Sequence, residues 1–240
     1  MSGNGPVHVL QSIPFCPDPA QCRRILRVEG NVRREKELAD LLEQAASKAR
    51  PKVVWRACVP EFLGSGRTAL NGHCFSSKVL AKLLRGAVKD AGSPVVFPFI
   101  ATCGEELGHW ASAVTGKLRA YWAHTLTRLA LKTALDRLEA ELKPFGRGVL
   151  SRVEPGIPKD WPVTEQPGLF ALLAHDDGPV AQLNEYCVMR PLSSISGLYF
   201  FSKKAVPPCT YCVLPTCRGK HAPKSRPEPL FCLAGKSGEA

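Results

Sequence analysis

Apolar and polar positions change their period several times along this chain, and each change marks an element. Residues 1–22 carry Pro and Gly with no period and read as irregular. From Glu35 the pattern turns helical: Leu38, Leu41, Leu42, Ala45, Ala46 and Ala49 share one face, and Pro51 stops the run. Residues 53–59 read as a strand. Ser76 or Ser77 caps the next helix, in which Val79/Leu80, Leu83/Leu84 and Ala87/Val88 recur every four residues as far as Gly92. Residues 94–101 are an apolar strand, and T-C-G-E-E-L-G turns from it into a helix starting near Glu105. A long helix is predicted over 117–142, its broad apolar face running from Leu118 to Leu142, and Pro144 and Gly146 end it. Residues 152–162 are Pro-rich and extended, and a short helix follows near 167–174. After an Asp177-Gly178 turn, 180–189 and 194–201 read as two strands joined around Pro191. Nothing repeats, and helical and strand segments do not alternate with βαβ spacing. The pattern predicts an α+β fold.

Composition narrows the class. The chain has 240 residues, 45% of them hydrophobic, which excludes a disordered or collagen-like polymer. The longest apolar run, residues 95–101, contains a Pro and falls far short of the ~20 residues of a membrane helix. No charged-then-apolar leader opens the sequence, so the expectation is a cytoplasmic chain. Its 10 cysteines are then thiols or metal ligands rather than disulfides. The net charge is +11. Residues 203–240 carry seven basic against two acidic side chains, a net +5, and a second basic cluster joins Arg23, Arg24, Arg27, Arg33, Arg34 and Lys36. Each reads either as solvated surface or as a docking face for an acidic partner.

Cys209, Cys212 and Cys217 form a C-x2-C-x4-C run inside that basic stretch. The short gap lets two thiolates reach one ion around a turn, and the third closes a face of a tetrahedron. A fourth ligand would come from Cys187 or Cys232. Cys16 and Cys22 are spaced too loosely for this, and Cys58, Cys74 and Cys103 lie in apolar or strand-like contexts that suit buried thiols. Neither common nucleotide loop is present, nor a zinc-protease helix, nor a nucleophile elbow. His175-Asp176 reads as exposed polar surface beside a turn. No aromatic-and-basic sheet pattern supports RNA binding.

Two segments look specialised. Arg152-Val153-Glu154-Pro155-Gly156-Ile157-Pro158 offers a guanidinium fork for a carboxylate and a glycine that lets backbone approach a ligand. Leu183 to Phe200 runs through the small residues Ser193 to Gly197 and ends in Tyr199 and Phe200, flat surfaces for an aromatic ring.

Together these segments resemble the reactivation domain of cobalamin-dependent methionine synthase, in the stand-alone form found in anaerobic microbes. The family's R-P-A-P-G-Y-P is similar to Arg152–Pro158 here, its L-T-E-S-x-x-M-x-P-x-x-S-V-S-G-W-Y-F to Leu183–Phe200, and its A-A-T-x-G-P-E-L to Ala101–Leu107. The resemblance covers roughly residues 25–202, leaving an irregular segment (1–24) and a basic Cys-rich tail (203–240). It implies a twisted antiparallel sheet with flanking helices. It also implies S-adenosylmethionine binding and reductive methylation of a corrinoid carried by a partner. By resemblance, Arg152 holds the ligand's carboxylate, Gly156 meets it through backbone, Tyr199 and Phe200 flank the adenosine, and Glu139 or Asp136 supplies an acid. Ile157 and Leu198 stand where the family has Tyr and Trp. No cobalamin-binding D-x-H-x-x-G is present, so the chain is not a complete methionine synthase and its cobalamin must arrive on a partner. Related tails suggest an iron–sulfur cluster on Cys209, Cys212, Cys217 and Cys187, with zinc as the alternative, fed by an acidic flavodoxin- or ferredoxin-type protein. Two other readings stand beside this one. One is a reactivator for a corrinoid protein of another methyltransferase system; the other is a non-catalytic metal-binding interaction module.

Overall fold

A computed structural model describes residues 5–91, 94–206 and 211–212. The chain opens with β1 (Val7–Leu10), α1 (Pro19–Leu26), α2 (Val32–Lys48) and β2 (Lys52–Arg56). A meander follows: β3 (Glu61–Gly64), β4 (Arg67–Leu70) and β5 (His73–Ser76). Next come α3 (Lys78–Ala91), β6 (Val96–Thr102), α4 (Glu105–Ala113), α5 (Lys117–Leu142) and β7 (Val149–Val153). The last elements are α6 (Gln166–Leu172), the short pair β8 (Gln182–Leu183) and β9 (Met189–Arg190), and β10 (Ser194–Ser202). Five strands form one antiparallel sheet in the order β1-β2-β6-β10-β7. The fold is α+β, as the pattern predicts.

The sheet is covered on both faces, which is why β6 reads as an unbroken apolar run with every residue buried. Side chains alternate across it. Phe97, Phe99 and Ala101 join Ile195, Tyr199 and Phe201 under α1, α2, α4 and α5. Val96, Leu198, Phe200 and Val153 face the other way, onto α3, α6 and the meander. α5 is the central helix of its layer, and Trp122, Leu126, Ala130, Ala134 and Leu138 are wholly buried along it.

Several elements depart from the sequence reading. Residues 1–24 are not irregular throughout, because β1 pairs with β2 from Val7↔Arg56 to Leu10↔Val53. α1 starts there too: Asp18 accepts from the Ala20 amide at 2.9 Å with Pro19 in the first turn. The meander at residues 61–76 was not foreseen, although Asn71-Gly72, both at positive φ (47° and 82°), is a strong hairpin signal. The single strand expected at 180–189 is instead a hairpin. Asn184 Oδ1 accepts from the Tyr186 and Val188 amides at 3.0 and 2.9 Å and turns the chain back. Cys74 is exposed, against the expectation of a buried thiol, whereas Cys58 and Cys103 are buried. The tail boundary at 203 is also not clean: Val206 and Tyr211 pack on the second core, and Cys212 bridges to Pro158.

Candidate functional site

Register brings the resemblance-derived residues together. β7 pairs with β10 so that Arg152 lies beside Tyr199. Both point to the α5 side, where Glu139 meets them. Arg152 Nη1 donates to the Tyr199 hydroxyl at 3.1 Å, and that hydroxyl donates to Glu139 Oε1 at 2.8 Å. The guanidinium Nε lies 2.6 Å from Glu154 Oε1. Nη1 is thus hydrogen-bonded within the chain, whereas Nε is ion-paired with Glu154 but makes no hydrogen bond among the described residues. Phe99 supports the tyrosine ring, centroids 4.8 Å apart. Gly197 stands next to Tyr199 on the same face because a Cβ there would lie 2.5 Å from the Val153 carbonyl oxygen and 3.2 Å from the Glu154 side chain.

Burial opposes the charged form of Arg152, yet Glu154, Tyr199 and Glu139 outweigh it and raise its pKa, so the guanidinium stays charged. Burial raises Glu154 above the ordinary carboxylate range, with Arg152 pulling the other way. Burial also raises Tyr199, Arg152 opposes this and Glu139 adds to it, so the phenol keeps its proton. The cluster is a fixed cation flanked by two acids and a neutral hydroxyl. Such a set suits a zwitterion, with a carboxylate toward Arg152 and an ammonium toward Glu139.

Of the two acids considered on the long helix, Glu139 reaches this network. Asp136 instead pairs with Lys132 on the surface. Phe200 is not brought in: it is buried on the opposite face, since neighbours on a strand alternate. Gly156 sits in a turn beyond β7 at φ +88°, with its amide donating to Trp161 O at 2.6 Å. A Cβ at that position would strike Val163, so the glycine serves the turn. Among the described residues no group of three or more His, Cys, Asp or Glu could hold a metal ion. Cys187 is half-buried and its carbonyl accepts from Gln166 at 2.9 Å. Cys209, Cys217 and Cys232 lie outside the described residues.

A cleft of about 310 Å³ near the β6–α4 turn and the start of β10 is not anticipated by the sequence reading. His109, His124 and Arg190 line it, and none of the network residues does. Among the described residues no helix is long and apolar enough to cross a membrane.

No family model matches the chain, and no curated protein matches it in sequence. Among solved structures it is similar to the crystal structure of the MetH reactivation domain bound to AdoHcy. The TM-score is 0.55 and the identity 16%, over 84% of this chain and 80% of that one. The likeness is one of fold, and it is the fold that the three sequence segments implied.

Proposed function

We propose that this chain binds S-adenosylmethionine at the Arg152–Tyr199–Glu139 network and reactivates a corrinoid protein by reductive methylation. One observation carries the reading. Three residues from separate segments, singled out by resemblance, meet in one hydrogen-bonded network on a fold similar to a reactivation domain solved with AdoHcy. Arg152 would take the ligand's carboxylate and Glu139 its ammonium group, while Tyr199 holds both in place. The partner's corrinoid supplies the chemistry: cob(II)alamin gains one electron, its cobalt takes the sulfonium methyl, and the C–S bonding pair leaves with S-adenosylhomocysteine. The protein's share is to orient the methyl donor and shield it from water. Arg24, Arg27, Arg33, Arg34 and Lys36 are exposed on and beside α1 and α2, which suits an acidic protein partner.

Thermal unfolding tests the binding claim. S-adenosylmethionine and S-adenosylhomocysteine should both raise Tm, while an equimolar mixture of adenosine and methionine should not. Equal shifts from the mixture, or none from either ligand, would refute specific recognition. In the same reading the Cys209–Cys212–Cys217 run carries an iron–sulfur cluster for electron entry. Anaerobically purified protein should then be coloured and hold iron and sulfide; colourless protein with stoichiometric zinc would remove the cluster.

A further inference from the structure

The cleft at the other end of β10 has a chemistry of its own. One wall is a face of α4 carrying Glu105 and His109, and the facing wall is α5 with His124 and Thr127. Residues 179–182 and 190–193 close the remaining sides. The walls are held from within. The Cys103 amide donates to Ser193 O at 3.0 Å, and the Thr127 and Ser193 hydroxyls are 2.6 Å apart. Gly108 lets the 190–193 link press on α4, since a Cβ there would lie 2.6 Å from Pro191 Cβ. The cavity is therefore a preformed joint between elements, at the small end of the roughly 300–1,000 Å³ of ligand sites.

Its lining sets one guanidinium, Arg190, and two imidazoles against one carboxylate, Glu105. Arg190 makes no ion pair or side-chain hydrogen bond among the described residues, and the His124 ring has no such partner either. The His109 ring lies 3.8 Å from Glu105. Beside them stand apolar surfaces, Val180 and the 68%-exposed Leu192. The Arg190 and His124 N–H donors, without side-chain acceptors among the described residues, suit an oxygen anion, and the apolar rim suits a carbon body attached to it.

We propose that this cleft is a second binding site, for a small organic oxyanion whose carboxylate or phosphate group meets Arg190, His124 and His109 while its apolar part lies against Val180 and Leu192. It stands independently of the S-adenosylmethionine reading, because Arg152, Tyr199 and Glu139 do not line it.

The test is a titration of histidine-ring-labelled protein, followed by NMR at constant ionic strength, with three probes: benzoate, phenyl phosphate and benzyl alcohol. At least one anionic probe should move the His109 and His124 ring signals, and which anion binds more tightly assigns the group as carboxylate or phosphate. Benzyl alcohol should not move them. Arg190→Gln, an exposed change that leaves the fold intact, should weaken the anion by about tenfold or more. Binding of the neutral probe equal to the anions, shifts confined to His8, His73 or His175, no shift at all, or native affinity in Arg190→Gln would each overturn the site. Displacement of a bound probe by S-adenosylmethionine would do so too, by placing that ligand here. Absence of S-adenosylmethionine binding elsewhere leaves this result standing.

Discussion

Arg152 offers a guanidinium fork for a ligand's carboxylate, and within the fold it already serves Glu154 and Tyr199. Breaking one partner of such a buried pair is costly. Arg152→Met should destabilise the protein by ~3–5 kcal/mol in urea denaturation, and adding Glu154→Leu should recover most of the loss. The pH dependence has a definite sign. Glu154 has a raised folded pKa, so its contribution is most favourable below the ordinary Glu value of ~4.3 and is lost as pH rises through the folded value. The Arg152→Met deficit should therefore shrink in acid. Tyr199→Phe removes one hydroxyl that both donates and accepts, and should cost ~1–2 kcal/mol by the same measurement. That Arg152, Glu139 and Tyr199 belong together was legible only through resemblance, because the hydroxyl links partners 47 and 60 residues away in sequence. Strand alternation sends Phe200 to the other core, and Gly156 lies in a turn at positive φ beyond β7.

Strong periodicity with clear stops made α5 and β6 readable to within a residue or two. The two-residue strands β8 and β9 and the four-residue strands of the meander are too short for a period to declare itself; turn chemistry at Asn71-Gly72 and Asn184 was the available signal. The start of α3 was half legible. Ser77 caps it as expected, accepting from Leu80 N at 2.9 Å, but Asp160 from a distant loop also takes the Ser77 hydroxyl and the Lys78 and Val79 amides. Burial would raise the Asp160 pKa, yet these donors outweigh it and lower the value. Its stabilisation is therefore present above the ordinary Asp pKa of ~3.9 and disappears as pH falls through the lowered value. Asp160→Asn should cost about 1 kcal/mol at neutral pH and approach native stability in strong acid, as read from denaturation curves at several pH values. Gly197→Ala should cost ~1–3 kcal/mol in chemical denaturation, because its Cβ meets the Val153 carbonyl that lies across the β7–β10 ladder.

Seen as a single body, the protein is a sheet buried between two layers, and its chemistry lies at two separate places along β10. Near Tyr199 is a closed ionic network suited to a zwitterion; near Ser193 is an open cleft lined by Arg190, His109 and His124. Of the buried thiols, Cys22 and Cys58 line neither place, whereas Cys103 lines the cleft. Burial pushes Cys22 and Cys58 up to about 11 and Cys103 up to about 12, so they stay protonated at neutral pH. The net charge of +11 suits an acidic partner. The central question is whether the Arg152–Tyr199–Glu139 network binds S-adenosylmethionine. Calorimetric titration of the native chain, Glu139→Gln and Arg152→Ala, each checked for fold by circular dichroism, decides this most directly. The prediction is one site in the native chain, about tenfold weaker binding in Glu139→Gln, and a greater loss in Arg152→Ala. Native affinity in both variants, or no binding by the native chain, would contradict it.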